Sequence, residues 1–249
     1  HQIFGTVRDS KGNPLSESAI VILKGTSGEL LRSPVDASIA PGANYVLKVP
    51  MDSGTLTQLY RPTALQPTMP FTISVRVGTV SYVPLETKGI SPAIGEPAKG
   101  TRLDLTLGID SDGDGLPDDW EKDLVNSDRN DAFDSIGDIL PGDDLDSDGI
   151  SNLNEYIAGT YAFDRRDGLK LDIVDIQQER AHMRFLTITG RTYTVMKSTD
   201  GRYFTEVPFA TGADSEATLT SFLAQGVAIQ DLYIPVDTTQ NHLYRLNVE

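Results

Sequence analysis

The 249-residue chain has no cysteine, one tryptophan and three histidines. Without thiols there is no disulfide framework, no thiolate metal site, no cysteine-linked haem and no cysteine nucleophile. His1, His182 and His242 are too scattered for an H-E-x-x-H metal motif, and neither a phosphate loop nor a nucleophile elbow occurs. The chain therefore reads as a non-enzyme. Basic residues are also scarce: 21 Lys+Arg against 36 Asp+Glu give a net charge of −15. That balance excludes nucleic acid and anionic membrane surfaces, both of which reward basic patches. No apolar run approaches the ~18 residues that a membrane span needs.

What the chain does have is short β-like runs with turn residues between them. A hydrophobic fraction of 39% fits an ordered globular protein. Residues 1–108 read as one β-sandwich, with strands expected at Gln2–Val7, Ala19–Lys24, Asn44–Val49, Thr55–Tyr60, Phe71–Val77, Thr79–Val83 and Arg102–Leu107. Residues 84–100, rich in Pro and Gly, read as a loop. Residues 169–249 read as a second β domain. Its strands are expected at Leu169–Ile176, His182–Thr189, Thr192–Lys197, Tyr203–Val207, Ala217–Phe222, Val227–Pro235 and Leu243–Val248. The expected fold is mainly β: two sandwich-like domains joined by a loop–helix module at residues 109–168.

That middle segment holds 18 Asp+Glu and 4 Lys+Arg, leaving 18 and 17 for the other 189 residues. So many like charges in one compact region repel one another unless cations bind. Two loops inside it match D-x-[DN]-x-[DN]-G-x5-E in full. In the first, Asp110, Asp112 and Asp114 hold positions 1, 3 and 5, and Glu121 holds position 12. In the second, Asp144, Asp146, Asp148 and Glu155 hold the same places. Calcium takes roughly six to eight oxygens at about 2.3–2.6 Å. Three carboxylates converge from one tight turn, and a glycine at position 6 permits the bend. The backbone carbonyl at position 7, Leu116 or Ile150, fills another vertex. Position 9, Asp118 or Asn152, can bind through water. The glutamate at position 12 closes the cage if a helix follows the loop. Residues 117–125 and 151–158 read as those helices, and Gly159 as a stop. No helix is expected before either loop. Two calcium ions are expected. Asp128, Asn130, Asp131, Asp134, Asp164 and Asp167 are candidates for a third or shared site.

The phrases DSDGDGLPDDWE and DLDSDGISNLNEYIAGT resemble the thrombospondin type-3-like and dockerin-like calcium modules of secreted bacterial proteins. The N-terminal sandwich resembles the carboxypeptidase-regulatory-like and Cna-B-like family. Gly5-Thr6-Val7, Asp9 to Pro14, Ala19 to Leu23 and Tyr45-Val46-Leu47 carry that likeness. The resemblances imply a secreted, cell-surface location and a spacer or stalk role. The resulting expectation is a calcium-stabilised extracellular structural or adhesive protein. It would self-associate, or bind another surface protein, by pairing its terminal strands into a filament or surface layer. The alternative is a carbohydrate-binding or accessory module of a polysaccharide-degrading system, with exposed tyrosines stacking on sugar rings.

Overall fold

A computed structural model describes residues 1–249 except 17, 27, 41, 53–58, 60, 62, 68, 90–96, 131, 178 and 238. The chain is mainly β and divides into two compact units, His1–Pro141 and Gly142–Glu249. The boundary falls inside the acidic segment, between the two loops. Each unit therefore carries one of them.

Among the described residues the first unit has nine strands: β1 Gln2–Gly5, β2 Val7–Arg8, β3 Ala19–Gly25, β4 Gly28–Pro34, β5 Tyr45–Lys48, β6 Thr72–Val77, β7 Val80–Tyr82, β8 Gly100–Arg102 and β9 Leu105–Thr106. They form sheets ordered β5-β1-β8, β2-β9 and β4-β3-β6-β7. Alternation along β6 sends Ile73 and Val75 inward, and β3 adds Val21 and Leu23. These pack with Ile3, Tyr45, Leu47 and Leu105 in one core. Most of the expected strand at 55–60 lies outside the described residues.

Two features depart from expectation. Strand β4, which is absent from the expected set, pairs with β3 as a hairpin across Gly25 and Gly28. Strand β1 is flanked on both sides, antiparallel to β5 and parallel to β8. Its backbone is taken up inside the sheet, so the N-terminal strand offers no edge for pairing with a neighbour.

After β9 the chain enters the first acidic loop directly from a strand, as expected. Helix α1, Asp118–Ser127, follows the loop, and a short 3-10 turn at Ile136–Asp138 comes later. The turn at 9–13 fixes α1 against the sandwich. Asp9 Oδ1 accepts the backbone N–H of Lys11 and of Asn13, at 2.9 and 2.8 Å. That fold of the chain aims Ser10 Oγ at Asp119 Oδ2, 2.9 Å away. Lys11 Nζ donates to the Asp119 carbonyl at 3.2 Å and pairs with Asp123.

The second unit begins with the second acidic loop and helix α2, Asn152–Ala158. Seven strands follow among the described residues: β10 Asp172–Gln177, β11 Arg180–Thr187, β12 Thr192–Ser198, β13 Thr205–Glu206, β14 Phe222–Leu223, β15 Ala228–Pro235 and β16 Leu243–Val248. One sheet runs β10-β11-β15; in the other, β12 pairs β13, β14 and β16. Met183, Phe185, Tyr193, Val195, Leu232 and Ile234 form the core. Strand β10 lies at the edge of its sheet and is exposed along its whole length. Among the described residues, no helix is long and apolar enough to cross a membrane.

Candidate metal centre

The local chemistry of the two loops is nearly the same, atom for atom. At position 1, Asp110 Oδ2 accepts the N–H of Gly115 at 3.2 Å, and Asp144 Oδ2 accepts that of Gly149 at 2.8 Å. At position 5, Asp114 Oδ1 accepts the N–H of Leu116, and Asp148 Oδ1 that of Ile150, both at 2.8 Å. The N–H at position 9 closes each loop onto the carbonyl just before it. Asp118 donates to Ile109 O at 2.8 Å, and Asn152 to Asp143 O at 2.7 Å. At position 5 these bonds take Oδ1 and leave Oδ2 of Asp114 and Asp148 buried without a partner, whereas both oxygens of Asp110 and Asp144 accept backbone N–H groups. The position-6 glycines sit at φ +102° and +98°, which a side chain tolerates poorly.

The result is two triplets, Asp110/Asp112/Asp114 and Asp144/Asp146/Asp148. Within each, one ligand oxygen per residue lies within 4.8 Å of the others. Oxygens sharing one ion at about 2.3–2.6 Å lie at most about 5 Å apart, so each triplet could hold a metal ion.

Acidic clusters on a surface are common, and the glutamates at position 12 separate these from the ordinary kind. Each rides on the first turn of its helix, and each is 0% exposed. Neither oxygen of Glu121 has a hydrogen-bond partner, nor has Oε2 of Glu155. Glu155 Oε1 accepts only the Thr160 hydroxyl, at 3.3 Å. Asp114 Oδ2, Asp146 Oδ2 and Asp148 Oδ2 are likewise buried and unpartnered. A buried carboxylate without a donor costs several kcal/mol by the usual transfer scales. Burial first, and then the negative charges of Asp112 and Asp114, push the Glu121 carboxyl up to about 8. Burial, with Asp146 and Asp148, pushes Glu155 up to about 7. The metal-sized groups hold the three aspartates of each loop and not the glutamate, whose carboxyl feels the charge of those aspartates from outside the triplet. The donors are oxygen throughout, which suits a hard cation.

Asp118 is placed differently from the pattern's suggestion. Its Oδ1 accepts the N–H of Ser111 at 2.7 Å, while Oδ2 accepts the Ser111 hydroxyl at 2.9 Å and Lys122 Nζ at 3.0 Å. Burial opposes its charge, but the bonds from Lys122 and Ser111 outweigh that and hold its carboxyl below the usual range. Asp118 thus braces the loop from within. Asn152 is fully buried in the second loop.

The candidates for a third site do not gather. Asp128 accepts backbone N–H groups from Asn130, Ala132 and Phe133. Asp164 accepts from Arg166, and Asp167 from Tyr161. These are turn-forming contacts. Asp131 lies outside the described residues, and among the described residues the triplets above are the metal-sized groups.

No family model, curated protein or solved structure matches this chain. Geometry alone therefore carries the site. Two neighbours of the second loop had no signal in the sequence. Gly168 approaches so closely that a methyl group there would lie 1.9 Å from Asp148 Oδ2. Arg191, 1% exposed, donates from Nε to the carbonyl of Ile157 in helix α2, at 3.3 Å.

Proposed function

We propose that both loops bind calcium and that the protein is a calcium-stabilised extracellular structural or adhesive protein. The observation that supports this best is the pair of buried glutamates with unpartnered oxygens, each acted on by the charges of its loop's aspartates. Four carboxylates and a backbone carbonyl approach the six to eight oxygens that calcium takes, with water completing the set. Magnesium prefers a smaller octahedron and keeps several waters, so it gains less from a glutamate closing the cage. Loops of this kind fill readily where calcium is millimolar, which is outside the cell. Binding to the folded state alone stabilises that state by mass action.

Calorimetric titration of the full chain tests the assignment. The wild type takes up two calcium ions, Glu121→Gln and Glu155→Gln take up one each, and the double variant takes up none. Unchanged uptake in both single variants would show that the ions bind elsewhere.

Self-association is part of the same reading, with its basis moved from the N-terminal strand; β16, at the other end, pairs only β12 among the described strands. β1 is enclosed, whereas β10 is an edge strand on which Ile173, Val174 and Ile176 are 59%, 45% and 56% exposed. Exposed apolar edges are what strand-to-strand assembly uses. The polysaccharide alternative finds less support. Among the described tyrosines, Tyr203 is 80% exposed and Tyr82 and Tyr161 are 38% and 43% exposed, on separate parts of the sequence. Tyr193 is in the core, Phe204 lies under Arg245 and Tyr233 stacks on His182.

A further inference from the structure

Helix α2 is seven residues long, too short to persist in water on its own. Yet it must hold Glu155 still if that side chain is to close the second cage. Something outside the loop has to fix it. The carboxyl end of the helix meets Arg191, the residue just before strand β12, and the largest fully buried side chain among the described residues.

The contact is close. Arg191 Nε lies 3.3 Å from Ile157 O, and Nη1 lies 3.4 Å from Thr189 O. The guanidinium packs closely against Gly159, where a methyl group would lie 2.6 Å from Nη2 and 2.7 Å from the guanidinium carbon. Gly159, at φ +79°, ends the helix and donates its N–H to Glu155 O at 2.7 Å. Thr160, next in the chain, donates its N–H to the same carbonyl and its hydroxyl to Glu155 Oε1. On the other side, the Arg191 backbone accepts the N–H of Ala224 at 2.9 Å and leads into β12 at the centre of its sheet. A buried cation at a helix carboxyl terminus is favoured by the helix dipole and by the carbonyls left free there.

We propose that Arg191 is the positioning residue that couples ion binding at the second loop to order in the C-terminal sheet. This rests on the reading of the loops as calcium sites. Occupancy fixes Glu155, Glu155 fixes the helix end, and the guanidinium carries that constraint to β12. By linkage, loosening the arginine must weaken the ion's grip, and loss of the ion must loosen the turn at 189–191. Partners that orient a ligand from behind commonly cost roughly 10–100-fold in metal affinity when removed.

The test uses the full chain and calcium alone as ligand. Titration calorimetry gives the affinity of each loop, with Glu121→Gln and Glu155→Gln assigning the two steps. Hydrogen exchange with and without calcium reports on the amides of 152–160 and 189–198. Arg191→Leu is expected to weaken the second loop by roughly tenfold or more and leave the first unchanged. It should also remove the calcium-dependent protection at 189–198, and Arg191→Lys should restore part of both. If Arg191→Leu does not fold, Gly159→Ala, which displaces the guanidinium, is expected to give the same signature. Equal loss of stability with and without calcium, at unchanged second-loop affinity, would assign Arg191 a purely structural role and overturn the proposal. A wild type that binds no calcium at either loop would instead overturn the reading on which it rests.

Discussion

In the metal-free protein Glu121 and Glu155 titrate near 8 and 7 instead of the ordinary 4.5, chiefly because they are buried. The folded chain therefore binds more protons than the unfolded chain between those values. The contribution of these two groups to metal-free stability is full below about 4.5 and is lost as pH rises through about 7 and 8. Carboxyls held low by hydrogen bonds, such as Asp128 and Asp138, act below their ordinary 3.8 and stay outside this window. Calcium must displace the protons, so its affinity should rise with pH across the same window. Titration in buffers of different ionisation enthalpy should detect proton release on binding at neutral pH. Binding with no proton release would mean that these glutamates are not ligands. Loop shape also acts at this scale. Gly149→Ala, at φ +98°, should cost about 1–3 kcal/mol and weaken the second site. Ser147 already sits at φ +63°, so Ser147→Gly should be neutral or mildly stabilising in urea melts.

At the scale of elements, the loops and their helices were legible because their chemistry is local. Asp110 to Glu121 and Asp144 to Glu155 carry their candidate ligands, bends and helix starts within twelve positions. Strand β4 was not legible, because Leu30 and Leu31 adjoin one another without alternation and its pairing depends on β3. The role of Arg191 was hidden for a similar reason: its partner Ile157 lies 34 residues away. Asp118 followed the ligand pattern, yet Ser111 and Lys122, both close in sequence, claim its oxygens. Contacts such as that between Lys11 and Asp123 hold α1 in place but are largely exposed, and exposed pairs are worth at most about 1 kcal/mol. The edge strand β10 makes its own prediction. Ile173 lies opposite buried Met183, so it faces the core side of the sheet while remaining 59% exposed. Ile173→Lys should lower the weight-average mass in sedimentation at high protein concentration and leave calcium uptake unchanged. A wild type that stays monomeric at every concentration would remove β10 as an assembly edge.

Over the whole molecule, the charge imbalance of the acidic segment resolves into two triplets, one in each compact unit. Each loop is built into its own β-unit. Ser10 and Lys11 reach α1 in the first, and Arg191 reaches α2 in the second. The segment that reads in sequence as one acidic stretch thus supplies each unit with its own triplet that could hold an ion, and the function proposed for those triplets is to keep the units folded. Thermal melting of the full chain in millimolar calcium and in chelator tests that claim most directly. Free calcium at a hundred times the dissociation constant stabilises by about 2.7 kcal/mol per site, a rise on the order of 10 °C for units of this size. A rise of that order, not reproduced by magnesium, is the predicted result. A shift of less than about one degree between calcium and chelator would contradict it.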